Sequence, residues 1–420
     1  MKRARRRVPV TAELDLSSDD FWAQPHGARH AAFARLRAMP PPLFFTEPAS
    51  PYGKDDRGYY ALVRHADVIE ASRNPRIFSS ASGSTSIADR PAEMNEHFGS
   101  MINMDDPRHA RLRRIVSRAF TPRMIRKFEE DVQQAAVQVV DDLLATGPGD
   151  FVRNVSARLP LKVICDMMGI GDEHYDMVLR NSNILLSGSD PEFLSQNMTQ
   201  ARAQMMGSAQ ELADLLGTLA TEREAHPGDD LVSALVSANI DGERLTAQEL
   251  ASFFILLTVA GNETTRNAIS HALILLTEHP DQRRLLLEDF EGRIDTAVEE
   301  VVRYATPVIW MRRTVTADTV LNGQRFSEGD KVLMFYQAAN RDEAVFDDPD
   351  RFDITRSPNP HVGFGGPGPH FCLGAHLARR EIRVMLRELL TRVPDIRAAG
   401  EPAYLRSSFI NGVKRLPCEF

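Results

Sequence analysis

The chain is 420 residues long, with 43% hydrophobic and 26% charged residues, a balance that excludes a disordered or fibrous protein. Its 50 Lys and Arg against 58 Asp and Glu give a net charge of −8, which argues against nucleic acid as a partner. Five of the first seven residues are basic (Lys2, Arg3, Arg5, Arg6, Arg7), but no apolar run follows them, so neither a signal peptide nor a transmembrane anchor is expected.

Residues 1–15 are therefore expected to be a flexible basic tail, and 16–420 a single domain. The cysteines Cys165, Cys372 and Cys418 are far apart and show no C-x-x-C spacing, which suits a reducing cytoplasm. Cys165 lies in an apolar run over 161–168 and reads as a core thiol. Along the chain, Tyr59 to Val63 reads as a strand and His65 to Ala71 as a helix. The stretch from Phe78 to Gly99 is Ser-rich and without a period, so it is expected to be a long loop of the kind that carries function.

A helix opens at Pro107 and places His109 and Arg113 at i and i+4 on one face. Helical periodicity dominates from about 107 to 290. The longest helix is expected over 246–276, opened by a capping box at Thr246 and Glu249. Its first half is apolar nearly all round, hence buried, yet Asn262-Glu263 ends the run too early to span a bilayer. In its middle stands Ala260-Gly261-Asn262-Glu263-Thr264-Thr265. A carboxylate and hydroxyls in a buried helix are costly unless something uses them. Gly261 weakens the helix, and Thr264 can bond back to a carbonyl, so a local groove is expected there.

Farther on, Glu300 and Arg303 place opposite charges three apart on one helix face. Asn322-Gly323 signals a hairpin, 331–336 reads as a strand, and Asn411-Gly412 predicts a final hairpin. The fold is thus expected to be mainly α with small β-sheets.

The segment 363–374, Gly-Phe-Gly-Gly-Pro-Gly-Pro-His-Phe-Cys-Leu-Gly, is the most informative. Glycines let a backbone approach something flat and large, and they allow positive φ. The amphipathic helix that follows from Ala375 would present N–H groups to Cys372, favouring a thiolate, which is a strong ligand for iron. Gly366, Gly368, His370, Cys372 and Gly374 match the haem-binding loop F-G-x-G-x-H-x-C-x-G residue for residue, and on them the chain resembles the cytochrome P-450 superfamily. One position departs: Gly365 stands where the shielding phenylalanine is expected, and Phe364 lies one place earlier. This variant resembles that of the actinobacterial lipid and steroid side-chain hydroxylases. The segments Phe98 to Ile102 and Phe253 to Leu257 resemble the mycobacterial methyl-branched lipid ω-hydroxylases more closely than the camphor-type enzymes.

That resemblance implies a triangular helical prism around haem b, with Cys372 as the iron ligand. Glu263 and Thr264 would form the acid–alcohol pair that delivers protons to bound dioxygen. His109, Arg113, Arg313 and His370 would hold the haem, the arginines suiting its propionates through bidentate pairing. Ala260, Val308, Ile309, Phe409 and Ile410 would contact substrate, and Glu300, Arg303 and Arg351 would form a structural ion network. The implied reaction inserts one oxygen atom of O2 into an unactivated C–H bond, the other leaving as water.

Electrons would come from NAD(P)H through a ferredoxin reductase and a ferredoxin, docked on Arg379, Arg380, Arg383 and Arg387. The expected substrate is a branched-chain lipid such as a fatty acid or isoprenoid, with a steroid side chain as the alternative. A non-catalytic haem sensor or carrier would keep Cys372 but have little use for Glu263 and Thr264, and a peroxide-driven enzyme typically lacks that pair.

Overall fold

A computed structural model of the chain describes residues 14–39, 42–48, 58–90, 100–119, 122–238 and 243–420. Of the basic tail, only Leu14 and Asp15 fall within these, and Leu14 is buried. The long loop assigned to 78–99 begins with a two-residue strand, continues irregularly to residue 90, and otherwise lies outside the described residues, as does Phe98-Gly99.

Helices dominate. The N-terminal part contributes α1 (Asp19–Trp22), α2 (His26–Ala38) and α3 (His65–Arg73). The central part supplies α4 (Arg108–Ala119), α5 (Pro122–Thr146), α6 (Arg158–Met168), α7 (Tyr175–Leu186), α8 (Met198–Ala225) and α9 (Leu231–Ser237). After them come α10 (Ala247–Glu278), α11 (Pro280–Glu288), α12 (Phe290–Ala305), α13 (Tyr336–Ala339) and α14 (Ala375–Arg392). Helix α10 is the axis of the molecule. Its capping box is formed from both sides: the Glu249 N–H donates to Thr246 Oγ1 at 3.1 Å and the Thr246 N–H to Glu249 Oε2 at 3.0 Å. The largest apolar cluster joins its C-terminal half to α5, α6, α12 and α14, which buries it on nearly every side. No helix among the described residues is long and apolar enough to cross a membrane.

The main sheet combines β1 (Leu43–Phe45), β2 (Tyr59–Leu62), β3 (Phe78–Ser79), β4 (Trp310–Val315) and β5 (Lys331–Phe335) in the order β1-β2-β5-β4-β3. Only β2 and β5 run parallel. The Asn322-Gly323 turn joins Thr319–Leu321 to Gln324–Phe326 with φ of +47° and +76°, the left-handed pair that a tight hairpin requires. Asn411-Gly412 behaves otherwise. Ala403–Tyr404 pairs with Val413–Arg415, so the connection spans 405–412 and the expected two-residue turn is not formed. The Asn411 side chain instead donates to the Ala305 carbonyl at 2.5 Å, and its N–H to the Pro307 carbonyl at 2.9 Å. Tertiary hydrogen bonds have overridden a local turn preference.

The ion network also needs one correction. Glu300 and Arg303 are fully buried and paired at 2.7 Å, but the third cation is Arg356 and not Arg351. Arg356 Nε lies 3.3 Å from Glu300, and its other nitrogens donate to the carbonyls of Asp347 and Asp348. Arg351 offers only its backbone carbonyl, which accepts from Arg303 at 3.1 Å, while its side chain is exposed. The network fastens α12 to the segment that leads into the cysteine loop. Arg356→Ala should lower the thermal midpoint, because it removes a hydrogen bond to a buried carboxylate worth about 1.5–3 kcal/mol. Arg351→Ala should change stability by less than about 0.5 kcal/mol. Calorimetry of the two variants decides between them, and a larger loss at Arg351 would contradict the assignment.

Candidate functional site

The cysteine loop is shaped by close backbone approach. Gly365 has φ of +87°, a conformation that disfavours any larger residue. At Gly368 an added Cβ would lie 2.3 Å from the Ser72 carbonyl of α3, so the loop can rest on that helix only as glycine. The Cys372 N–H donates to the Phe364 carbonyl at 3.0 Å, which closes the loop. Arg113 of α4 clamps it from outside, its two terminal nitrogens donating to the carbonyls of Pro369 (2.7 Å) and Phe371 (2.8 Å). Burial pushes the Cys372 thiol up, against the pull of the Gly374 N–H and the guanidinium groups of Arg113 and Arg379. An iron cation held at this sulfur would add to that pull and favour the thiolate.

Cys372 opens into a cavity between this loop and α10. Phe364 lines it beside the cysteine, and the Arg379 guanidinium lies 4.2 Å from the centre of its ring. The aromatic displaced by Gly365 is therefore still beside the sulfur. His109, Arg113, Arg313 and His370 all border the same cavity. The rings of His109 and His370 lie 4.3 Å apart. Burial, then the charges of Arg313 and His109, holds His370 down to about 3, and its Nε2 is buried without a protein partner. Arg313 is buried too, donating to the Arg312 carbonyl at 2.7 Å.

A thiol at one point of a broad cavity, with a guanidinium and imidazole N–H groups elsewhere on its wall, fits a haem: the sulfur suits iron and the donors suit propionates. Arg113, with both terminal nitrogens engaged, serves the loop at least as much as a propionate.

Across the cavity, Thr264 Oγ1 donates to the Ala260 carbonyl at 2.7 Å, and both residues line the wall. Ile164 of α6 lies beside Gly261, its Cδ1 in ordinary contact distance of where a Cβ would be. Glu263 does not reach the cavity. It is buried on another face of α10 and paired with Arg266, which also donates to Asn183 Oδ1 at 2.7 Å. Burial raises the Glu263 pKa despite Arg266. Asn262 and Ser182 also keep buried polar atoms without protein partners, so a polar seam runs between α10 and α7.

Of the expected substrate contacts, Ala260 and Val308 line the wall, whereas Ile309, Phe409 and Ile410 do not. Val308 and Met311 face the cavity, while Ile309 and Trp310 between them are buried in the cluster with Phe33 of α2. Ile410 bridges Val308 through the backbone, and the Phe409 ring packs 5.0 Å from Trp310. Sequence reasoning missed Pro160, Val163 and Ile164, whose only signal was that α6 carries more apolar residues than one buried face needs. Behind the loop, Arg379, Arg383 and Arg387 are paired with Glu299, Asp295 and Glu291 of α12. That face of α14 is a mosaic of charges and not a bare cationic patch.

A model of the family described as cytochrome P450 matches residues 61–393. The chain is a cytochrome P450. It is 47% identical over 413 residues to a methyl-branched lipid omega-hydroxylase of Mycobacterium tuberculosis, covering 98% of this chain and 95% of that one. It is 39% identical over 392 residues to a steroid C26-monooxygenase of Mycolicibacterium smegmatis, covering 92% and 89%. The solved structure of a Mycobacterium marinum cytochrome P450 in complex with pseudoionone superposes with a TM-score of 0.93 at 43% identity, covering all of both chains. This P450 is accordingly a haem-iron monooxygenase that takes electrons from redox partners.

Helix α14, which follows the cysteine, is tied to α12 through Glu299. That carboxylate accepts from Arg379 Nη2 at 2.8 Å and from His361 Nε2 at 3.0 Å. Burial opposes its charge, but the bonds from Arg379 and His361 prevail and hold it down to about 2. A carboxyl depressed in the folded state stabilises above its ordinary value and loses that stabilisation as pH falls through the folded one. Glu299→Gln should therefore melt lower at pH 7, and the gap to the parent should close as pH falls from about 4.5 towards about 2. A gap independent of pH would contradict the ion pair.

Proposed function

We propose that this P450 hydroxylates the terminal carbon of methyl-branched lipids, using haem b ligated by Cys372. The observation that carries this reading is one cavity that joins the cysteine loop, the Thr264 hydroxyl and an apolar wall of Phe253, Leu256, Leu257, Ile164, Met101 and Met311. A wall of that composition suits a saturated chain. The similarity to lipid and steroid side-chain oxidases supports the substrate class. The mature domain is proposed to be a single unit over 16–420, acting in a reducing cytoplasm where Cys165, Cys372 and Cys418 stay free.

Haem, when bound, supplies the iron at which dioxygen is reduced and from which one oxygen atom passes to a C–H bond. The chain's own residues do the rest. The Gly374 N–H bears on the Cys372 sulfur, and the Arg113 clamp fixes the loop that carries it. Arg313, His370 and His109 offer donors to the propionates. Thr264 spends its proton on the Ala260 carbonyl, which leaves its oxygen free to accept from water on the cavity side. Glu263 holds a proton more readily than an exposed glutamate, and it must leave Arg266 to pass one on. Ferredoxin and an NAD(P)H-dependent reductase are the proposed electron source. The docking face would be α14, where the partner's carboxylates compete with those of α12 for the arginines.

Thr264→Ala should leave haem content and substrate affinity unchanged while diverting a several-fold larger share of NAD(P)H electrons to hydrogen peroxide. Unchanged coupling would show that protons arrive elsewhere. Regiochemistry tests the substrate claim. Primary C–H bonds are stronger than tertiary ones, so terminal oxidation requires that the wall present the chain end first. Mass spectrometry of products from a methyl-branched fatty acid should show predominantly the ω-alcohol. A hydroxyl mainly at the tertiary or subterminal carbon would overturn that claim and leave the monooxygenase standing.

A further inference from the structure

The cavity that holds Cys372 has a carboxyl on its wall besides the groups that suit haem. Glu381 of α14 lines it nine residues after the cysteine and is only 4% exposed. Among the described residues no donor and no cation meets this carboxyl, and its Oε2 is buried without a partner. The helix accounts for the isolation. Positions three and four away on either side are Leu377, Ala378, Val384 and Met385, all apolar. Arg379, Arg380 and Arg383 border a separate groove towards α12, where Arg379 pairs with Glu299 and Arg383 with Asp295.

The other elements packed on α14 bring no counter-charge either. From α5, Gln133 bonds Glu388 and Asp141 bonds Arg392. On α6, Lys162 and Asp166 pair with each other, and on α10 Glu263 is paired with Arg266. The titratable groups that share the cavity wall are His109, Arg113, Arg313, Tyr336, His370 and Cys372, and none of them offsets the burial of Glu381. Burial alone pushes its pKa well above the ordinary carboxylate value. The acid therefore titrates where one more charge in the cavity decides its state.

That charge changes when the iron of a bound haem passes from ferric to ferrous. One electron is added, and in a low-dielectric cavity it repels a carboxylate on the same wall. We propose that Glu381 takes up one proton from solvent as the haem accepts one electron from the redox partner, its carboxylate becoming a neutral acid. The added electron and the added proton leave the charge of the cavity unchanged. This role rests on haem occupying the cavity and is independent of the substrate. It is separate from Thr264 and Glu263, which belong to α10.

Spectroelectrochemical titration of the haem-loaded protein tests the coupling. A carboxylate formed at higher pH opposes the incoming electron, so the midpoint potential of the parent should fall as pH rises from about 5 to about 8. The slope should approach about 59 mV per pH unit, a tenfold change in proton concentration for one electron. Glu381→Gln, neutral and of the same shape, should remove the slope and hold the potential near the parent's low-pH value. Infrared difference spectra should show the C=O band of a protonated carboxyl appearing on reduction, shifting in D2O and missing in Glu381→Gln. Should that variant take up no haem, Glu381→Leu serves in its place. The carbon monoxide Soret band of each sample reports the cysteine ligation separately. A parent potential independent of pH would overturn the proposal. So would a slope or carboxyl band that survives the substitution, which would assign the proton to a propionate or another wall residue.

Discussion

Everything in this molecule is arranged around the backbone of one loop. The Cys372 N–H is spent on the Phe364 carbonyl, the carbonyls of Pro369 and Phe371 are taken by Arg113, and Gly368 lies against the Ser72 carbonyl with no room for a Cβ. The sulfur is thereby presented to the cavity without any side chain having to hold it. Elements distant in sequence serve this one position. Helix α3 supplies the bed and α4 the clamp. The buried Glu300–Arg303–Arg356 network fixes the approach, and Glu299 anchors the helix that leaves.

Helix α10 meets two opposed demands. Packing requires it to be apolar all round, while the chemistry requires a hydroxyl and an acid in its middle. Thr264 satisfies its own proton within the helix by bonding the Ala260 carbonyl, so its presence in the apolar wall costs little. Glu263, one residue earlier, necessarily points elsewhere, and there it meets Arg266 and the polar seam beside α7. Consecutive positions on one helix thus separate the group that touches the cavity from the group that stores charge.

How much of this was legible in the chain follows the range of the forces involved. The capping box at Thr246, the Asn322-Gly323 turn and the glycine loop are local, and each formed where its residues indicated. Asn411-Gly412 carried the same turn signal, but its side chain found the Ala305 carbonyl and the turn gave way. Arg351 and Arg356 are five apart and chemically alike, so only the folded chain could show which guanidinium turns inward to Glu300. Likewise Val308 and Ile309 differ by one residue, and only the folded chain shows that one faces the cavity and the other the core.

The central claim is that the Cys372 sulfur, on a loop closed by the Phe364 carbonyl and clamped by Arg113, would hold haem iron as a thiolate. The most direct measurement is the optical spectrum of the reduced protein under carbon monoxide. The account predicts the red-shifted Soret band of a thiolate complex in the parent and its loss in Cys372→His. A histidine-type carbonyl spectrum in the parent, or a thiolate-type band that survives the substitution, would contradict it.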